Sequence, residues 1–161
     1  MSQYLIYVKV PDYEREWCEF HFGNPCVFPQ RTNLNSIIRF FTRPRPEDAA
    51  PDIQQPGELA ICIMGSKAKK PEVFNYLSNH GKEAIASAID DLFVMHMWED
   101  LTDIGARSVQ LSKLVMDWMD ANGISMQGNN YENLRMKFQR IKDKYKKKAG
   151  INVSRGYKHE H

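Results

Sequence analysis

Residues 131–148 read YENLRMKFQRIKDKYKKK, and this stretch combines an apolar stripe with a dense set of cations. Its apolar side chains recur in steps of three and four residues, which places them on one face of an α-helix. They are Tyr131, Leu134, Phe138, Ile141 and Tyr145. Asn129 and Glu132 stand three residues apart and form a capping-box-like start. We therefore predict a helix over residues 131–148 that packs through this face.

The same stretch carries eight basic and two acidic side chains, a net charge of +6. Residues 149–161 add +1, so that −5 falls on residues 1–130, although the whole chain is nearly neutral at +2. Phosphates are the natural partners of such a helix, because each neutralised phosphate releases condensed counterions. The predicted nucleic-acid contacts are Asn133, Arg135, Lys137, Arg140, Lys144 and Lys147.

Some of these residues are suited to reading bases. Asparagine and arginine form bidentate pairs with adenine and guanine, so Asn133 and Arg140, with Lys137 between them, could reach base edges. The alternative interpretation is a solvated helix end whose lysines complement the helix dipole.

Two further helices are predicted before this one, over residues 81–101 and 109–121. The junction between the second of them and the last helix reads ANGIS at residues 121–125. A glycine that leaves one helix and an apolar residue after it are typical of a helix-turn-helix. Residues 108–148 thus resemble the helix-turn-helix segments of small DNA-binding proteins of phages and mobile elements. The resemblance implies that the last helix is the recognition helix and that 109–121 supports it. The connection is longer than the usual turn of about three to four residues.

The first half of the chain has a different character, because β-type stretches alternate there with short helices. Residues 3–10, QYLIYVKV, and 58–64, ELAICIM, are rich in β-branched and aromatic side chains and predict buried strands. The other predicted elements are helices over 12–22, 34–42 and 72–79, a short extended piece at 26–28 and a proline-rich loop from 44 to 57.

The predicted fold class is α+β, with a small N-terminal portion of two or three strands plus helices and a C-terminal three-helix, helix-turn-helix-like portion. The predicted divisions are an α+β portion at 1–79, a helical portion at 80–150 and a flexible tail at 151–161. The longest apolar stretches are far shorter than the ~20 residues of a membrane span, and the N-terminus lacks a basic signal region. We expect a cytoplasmic protein without membrane contact.

The three cysteines raise the question of a metal site. Cys18, His21 and Cys26 lie close together in the sequence, but a fourth ligand of the kind that structural zinc needs is not nearby. We favour the interpretation that Cys18 and Cys26 pack as small apolar side chains. An odd number of cysteines without a secretion signal is typical of a reducing compartment. We expect neither a metal nor another cofactor.

Other polar residues form no motif that indicates a reaction. The chain has no nucleophile elbow, no glycine loop that cradles phosphate and no HExxH, so we expect a protein that is not an enzyme. An acidic run predicts a solvated face or, alternatively, a surface that pairs with the basic helix of a second copy in a homo-oligomer. Its members are Asp90, Asp91, Glu99, Asp100 and Asp103.

The predicted function is therefore non-enzymatic DNA binding through residues 131–148, with duplex rather than single-stranded DNA as the partner. The resemblance implies a regulator of a phage or mobile element. The alternative function is a protein-interaction or scaffold module without nucleic-acid binding, in which the basic helix meets an acidic protein surface.

Overall fold

The computed structural model describes residues 3–30, 32–105 and 110–160, with only the backbone described for helix residues 103–105 and 146–160. Within these residues, five helices and four short strands are present, and the predicted α+β class is confirmed. In chain order they are β1 (Leu5–Lys9), α1 (Asp12–Phe22), α2 (Asn33–Phe41), β2 (Arg43–Pro44), β3 (Glu58–Cys62), β4 (Phe74–Tyr76), α3 (Asn79–Gly105), α4 (Leu111–Ala121) and α5 (Asn130–Glu160).

The predicted helix at 72–79 is wrong, because this segment contains β4. β4 pairs antiparallel with β2, which overlaps the start of the predicted proline-rich loop. The Asn75 side-chain amide donates to the backbone oxygens of Pro71 and Glu72 at 3.0 and 3.2 Å. Such local bonds compete with helix formation, and Pro44, which has no N–H, is tolerated in an edge strand.

The predicted ends of the other elements shift by a few residues, with one larger difference. α5 continues to Glu160, whereas its predicted end is residue 148. No proline interrupts the added segment, and the glycines in it weaken a helix by only about 1 kcal/mol each. The predicted division at residues 79 and 80 and the flexible tail stay predictions.

The chain forms two compact units, and the first comprises Met1–Met95 together with Asn122–Ile124. Its sheet is the antiparallel pair β1–β3, in which Leu5 lies opposite Cys62 and Lys9 opposite Glu58. Side chains alternate between the faces of a strand, so Ile6 and Val8 share the buried face of β1.

The predicted extended piece at 26–28 contributes a third line of backbone hydrogen bonds to this sheet. Cys26 forms a parallel bridge to Ile61. Its N–H donates to the oxygen of Ala60, and its own oxygen accepts from the N–H of Cys62, each at 2.8 Å. Aromatic rings close the core, since Phe93 of α3 lies 5.4 Å from Trp17 and 5.5 Å from Tyr13, between ring centroids.

The second compact unit comprises His96–Ala121 and Ser125–His161. It contains the end of α3, then α4 and α5, and α4 packs against α5. Its buried apolar side chains recur at helical spacing on each helix, as expected of amphipathic helices. They are Met97, Leu101, Leu114, Val115, Trp118, Met119, Leu134 and Phe138.

Two glycines in the connection between α4 and α5 have positive φ angles but different surroundings. Gly123 has φ +70°, and a Cβ added there would lie 2.5 to 2.7 Å from the Cβ, Cγ and Cδ2 atoms of Phe20. Gly128 has φ +59°, and a Cβ there would meet nothing within 4 Å. Only Gly123 is required by close packing as well as by its backbone angle.

Gly123→Ala should therefore destabilise the protein more than Gly128→Ala. A positive φ costs an L-residue about 1–2 kcal/mol, and overpacking against Phe20 adds about 1–3 kcal/mol. We expect Gly128→Ala to lose only the first amount in the free energy of unfolding, measured by urea denaturation. Equal losses in the two variants would mean that Phe20 does not constrain this position.

Candidate nucleic-acid interface

The apolar face predicted for α5 is buried at Leu134 and Phe138, half-buried at Tyr131 and Ile141, and exposed at Tyr145. Leu134 is 0% exposed and Phe138 is 4% exposed. Tyr145 is 48% exposed, but its ring stacks on Trp98 of α3, with centroids 4.4 Å apart and planes inclined by 17°. Trp98 also lies 6.1 Å from the ring of Phe138. These contacts fix the rotation of α5 about its own axis within the second unit.

Four of the predicted contact residues share one side of α5, which we call the basic stripe: Asn133, Lys137, Arg140 and Lys144. With about 100° per residue they fall within about 60° of one another, and with a rise of about 1.5 Å they extend over about 16 Å. Asn133, Arg140 and Lys144 are exposed, and Lys137 is half-buried. The stripe is centred about 110° from the apolar face.

The other two predicted contacts are not part of the described stripe. Arg135 lies about 140° or more around the helix from every stripe residue, and it forms an ion pair with Glu132 at 3.2 Å. The side chain of Lys147 lies outside the described residues. The structure thus brings four of the six predicted residues together.

Acidic neighbours within α5 have partners away from the stripe. Glu132 pairs with Arg135, and the side-chain amide of Gln139 donates to Asp143 at 3.0 Å. In the part of the chain that the structure describes, neither Arg140 nor Lys144 forms an ion pair. Both side chains are therefore exposed to solvent and not held by a described carboxylate.

One supporting contact of this unit is missed by the sequence analysis. Trp118 of α4 donates its indole N–H to Asp100 of α3 at 2.9 Å. Asp100 is interpreted from the sequence as part of a solvated acidic face. A tryptophan on a buried stripe needs a partner for its N–H, so Trp118 itself is the available signal, although the sequence does not say which acceptor it meets.

The connection between α4 and α5 spans eight residues, from Asn122 to Asn129. Asn130, the first residue of α5, is 5% exposed and donates its side-chain amide to the oxygen of Ser125 at 3.1 Å. The residue that begins α5 is therefore held by a hydrogen bond from within the connection.

The cysteine cluster is a packed group rather than a set of ligands. Cys18 and Cys26 are 0% exposed, and Cys26 donates its S–H to the oxygen of Gly23 at 3.0 Å. His21 donates from Nε2 to the side-chain oxygen of Asn122 at 2.8 Å. Among the described residues, no group of three His, Cys, Asp or Glu side chains is placed to hold a metal ion.

Burial also changes the acidity of these thiols. It raises the pKa of Cys26 from 9.0 to about 12, with a smaller contribution from the nearby carboxylate of Glu19. Burial also raises the pKa of Cys18, and the nearby Cys26 and Glu14 raise it further by smaller amounts. Because the thiolate is the nucleophile and the metal ligand, neither sulfur is set up for such chemistry.

No family model, no curated protein and no solved structure matches this chain. None of the helices in its described portion is both long enough and apolar enough to cross a membrane. The basic stripe is therefore interpreted from its own geometry and charge.

The raised pKa of Cys26 predicts a loss of stability at alkaline pH. Between pH 9 and 12 the native thiol keeps a proton that the unfolded chain releases, so the contribution is complete below pH 9 and falls as pH rises toward 12. Cys26→Ala should be less stable at pH 7, and its difference from the original protein should narrow above pH 9. Denaturant unfolding at several pH values measures this, and a constant difference would contradict the assignment.

Proposed function

We propose that the protein is a non-enzymatic DNA-binding protein of the cytoplasm that contacts duplex DNA through the basic stripe of α5. The observation that supports this most is the exposure of Arg140 and Lys144, in line with Asn133, on a helix whose apolar face is buried. A rigid rod with cations on its open side can lie along a phosphate backbone or enter a major groove, which is about 12 Å wide.

The length of α5 argues against a role for these cations in the helix dipole. The dipole acts on side chains within the first or last turn of a helix. Arg140 and Lys144 precede the end of α5 at Glu160 by 20 and 16 residues. Their charges therefore do not stabilise a helix terminus and are available to an external anion.

Different stripe residues suit different parts of this interaction. Lys137 and Lys144 suit phosphate contacts, which position a protein on DNA without reading sequence. Asn133 and Arg140 suit contacts to base edges, because their side chains form paired hydrogen bonds with adenine and guanine. We infer a modest sequence preference on top of a strong electrostatic term.

The resemblance of residues 108–148 to helix-turn-helix segments leads us to propose α4 as the supporting helix and α5 as the recognition helix. The packing of α4 on α5 supports this assignment. The eight-residue connection departs from the tight motif, so the proposal is a helix-turn-helix-like reader. A regulator of a phage or mobile element is the setting that we propose, and the free buried thiols suit a reducing cytoplasm.

The test is the salt dependence of binding to a short duplex, measured by fluorescence anisotropy. The stripe offers about two to three phosphate contacts, from Lys137, Lys144 and Arg140, so the slope of log affinity against log salt should be about −2 to −3. Lys144→Gln should reduce the magnitude of this slope by about one.

Lys142→Gln is the matched control, because it removes the same charge two residues away on the other side of α5. It should change neither the affinity nor the slope substantially, and circular dichroism should report the same helix content in both variants. Equal losses in Lys142→Gln and Lys144→Gln would contradict a binding stripe. The absence of binding at low salt would overturn DNA binding altogether and favour the protein-interaction module.

A further inference from the structure

A cleft of about 370 Å³ lies in the first unit, beside the face of β1 that the core does not use. Along this strand Ile6 and Val8 point into the core, whereas Leu5 and Tyr7 are half-buried on the opposite face. Leu5 and Tyr7 line the cleft together with residues before β1, after β2 and in β4. Those further lining residues are Gln3, Tyr4, Arg45, Asp52 and Asn75.

The charge in this cleft favours an anion. Asp52 is already engaged by Lys82, whose Nζ lies 3.2 Å from its carboxylate. Arg45, by contrast, has no ion pair or hydrogen bond to any residue that the structure describes. A guanidinium that lines a cleft with all its donors unused can bind a phosphate through two parallel hydrogen bonds.

The rest of the lining favours a planar polar ring. Leu5 and Tyr7, which share one face of β1, supply apolar and aromatic surface against which a ring can stack. The amide nitrogen of Asn75 is held by the oxygens of Pro71 and Glu72, which leaves its side-chain oxygen as a positioned acceptor. Gln3 adds a second amide, and such amides match the donor and acceptor pattern of a nucleobase edge.

We propose that this cleft binds a nucleoside monophosphate, with the phosphate on Arg45 and the base against Tyr7. The volume is at the lower end of the range for small-molecule sites, about 300–1,000 Å³, which suits a single nucleotide. The site is separate in sequence from the basic stripe and uses none of its residues, so it stands or falls independently of DNA binding.

The experiment is isothermal titration calorimetry of the full chain with each of the four ribonucleoside 5′-monophosphates, and with the matching nucleosides. At least one monophosphate should bind. Its nucleoside should have an affinity lower by about tenfold or more, because the charge-assisted bonds to Arg45 are missing. Arg45→Gln should weaken the monophosphate by a similar factor while leaving nucleoside binding unchanged.

Arg43→Gln is the matched control, since Arg43 is an exposed arginine two residues away that does not line the cleft and contacts the ring of Phe40 instead. It should bind as the original protein does. Loss of binding in Lys144→Gln with retention in Arg45→Gln would place the nucleotide on α5 and overturn the cleft. Absence of binding by all four monophosphates at about 5 mM, beyond the millimolar range of weak ligands, would overturn it as well.

Discussion

Burial of one face of α5 is the constraint on which the proposed interface depends. Leu134 and Phe138 are buried, and each such side chain contributes about 1.5–3 kcal/mol relative to exposure. The stack of Tyr145 on Trp98 extends this contact by two further turns. Any rotation that hid Arg140 and Lys144 would bring these apolar side chains into water. The hydrophobic face therefore determines which charges a partner can meet.

The sequence predicts local features well, because they depend on neighbours along the chain. The bounds of α1, the β character of residues 3–10 and 58–64 and the apolar face of α5 all follow from periodicity and side-chain shape. β4 does not, since three residues become a strand only when Arg43 and Pro44, some thirty positions earlier, offer an edge. Propensity is a weak guide for so short a segment.

The same distinction applies to the two candidate sites. The basic stripe lies on a single helix, so spacing alone predicts its four members. The ion pair of Arg135 with Glu132, by contrast, is known only from the positions of the side chains. The cleft joins Gln3, Arg45 and Asn75, which are separated by about thirty to forty residues each and approach only in the folded unit. No local pattern could indicate it.

Net charge is therefore a poor measure of what α5 can bind. The sequence assigns +6 to residues 131–148, but a helix is about 10–12 Å across, and the Debye length at physiological salt is about 8 Å. A phosphate on the stripe is thus largely screened from Arg135 and Lys142 on the far side. The effective charge is that of the stripe itself, and the orientation imposed by Leu134 and Phe138 matters more than the number of lysines.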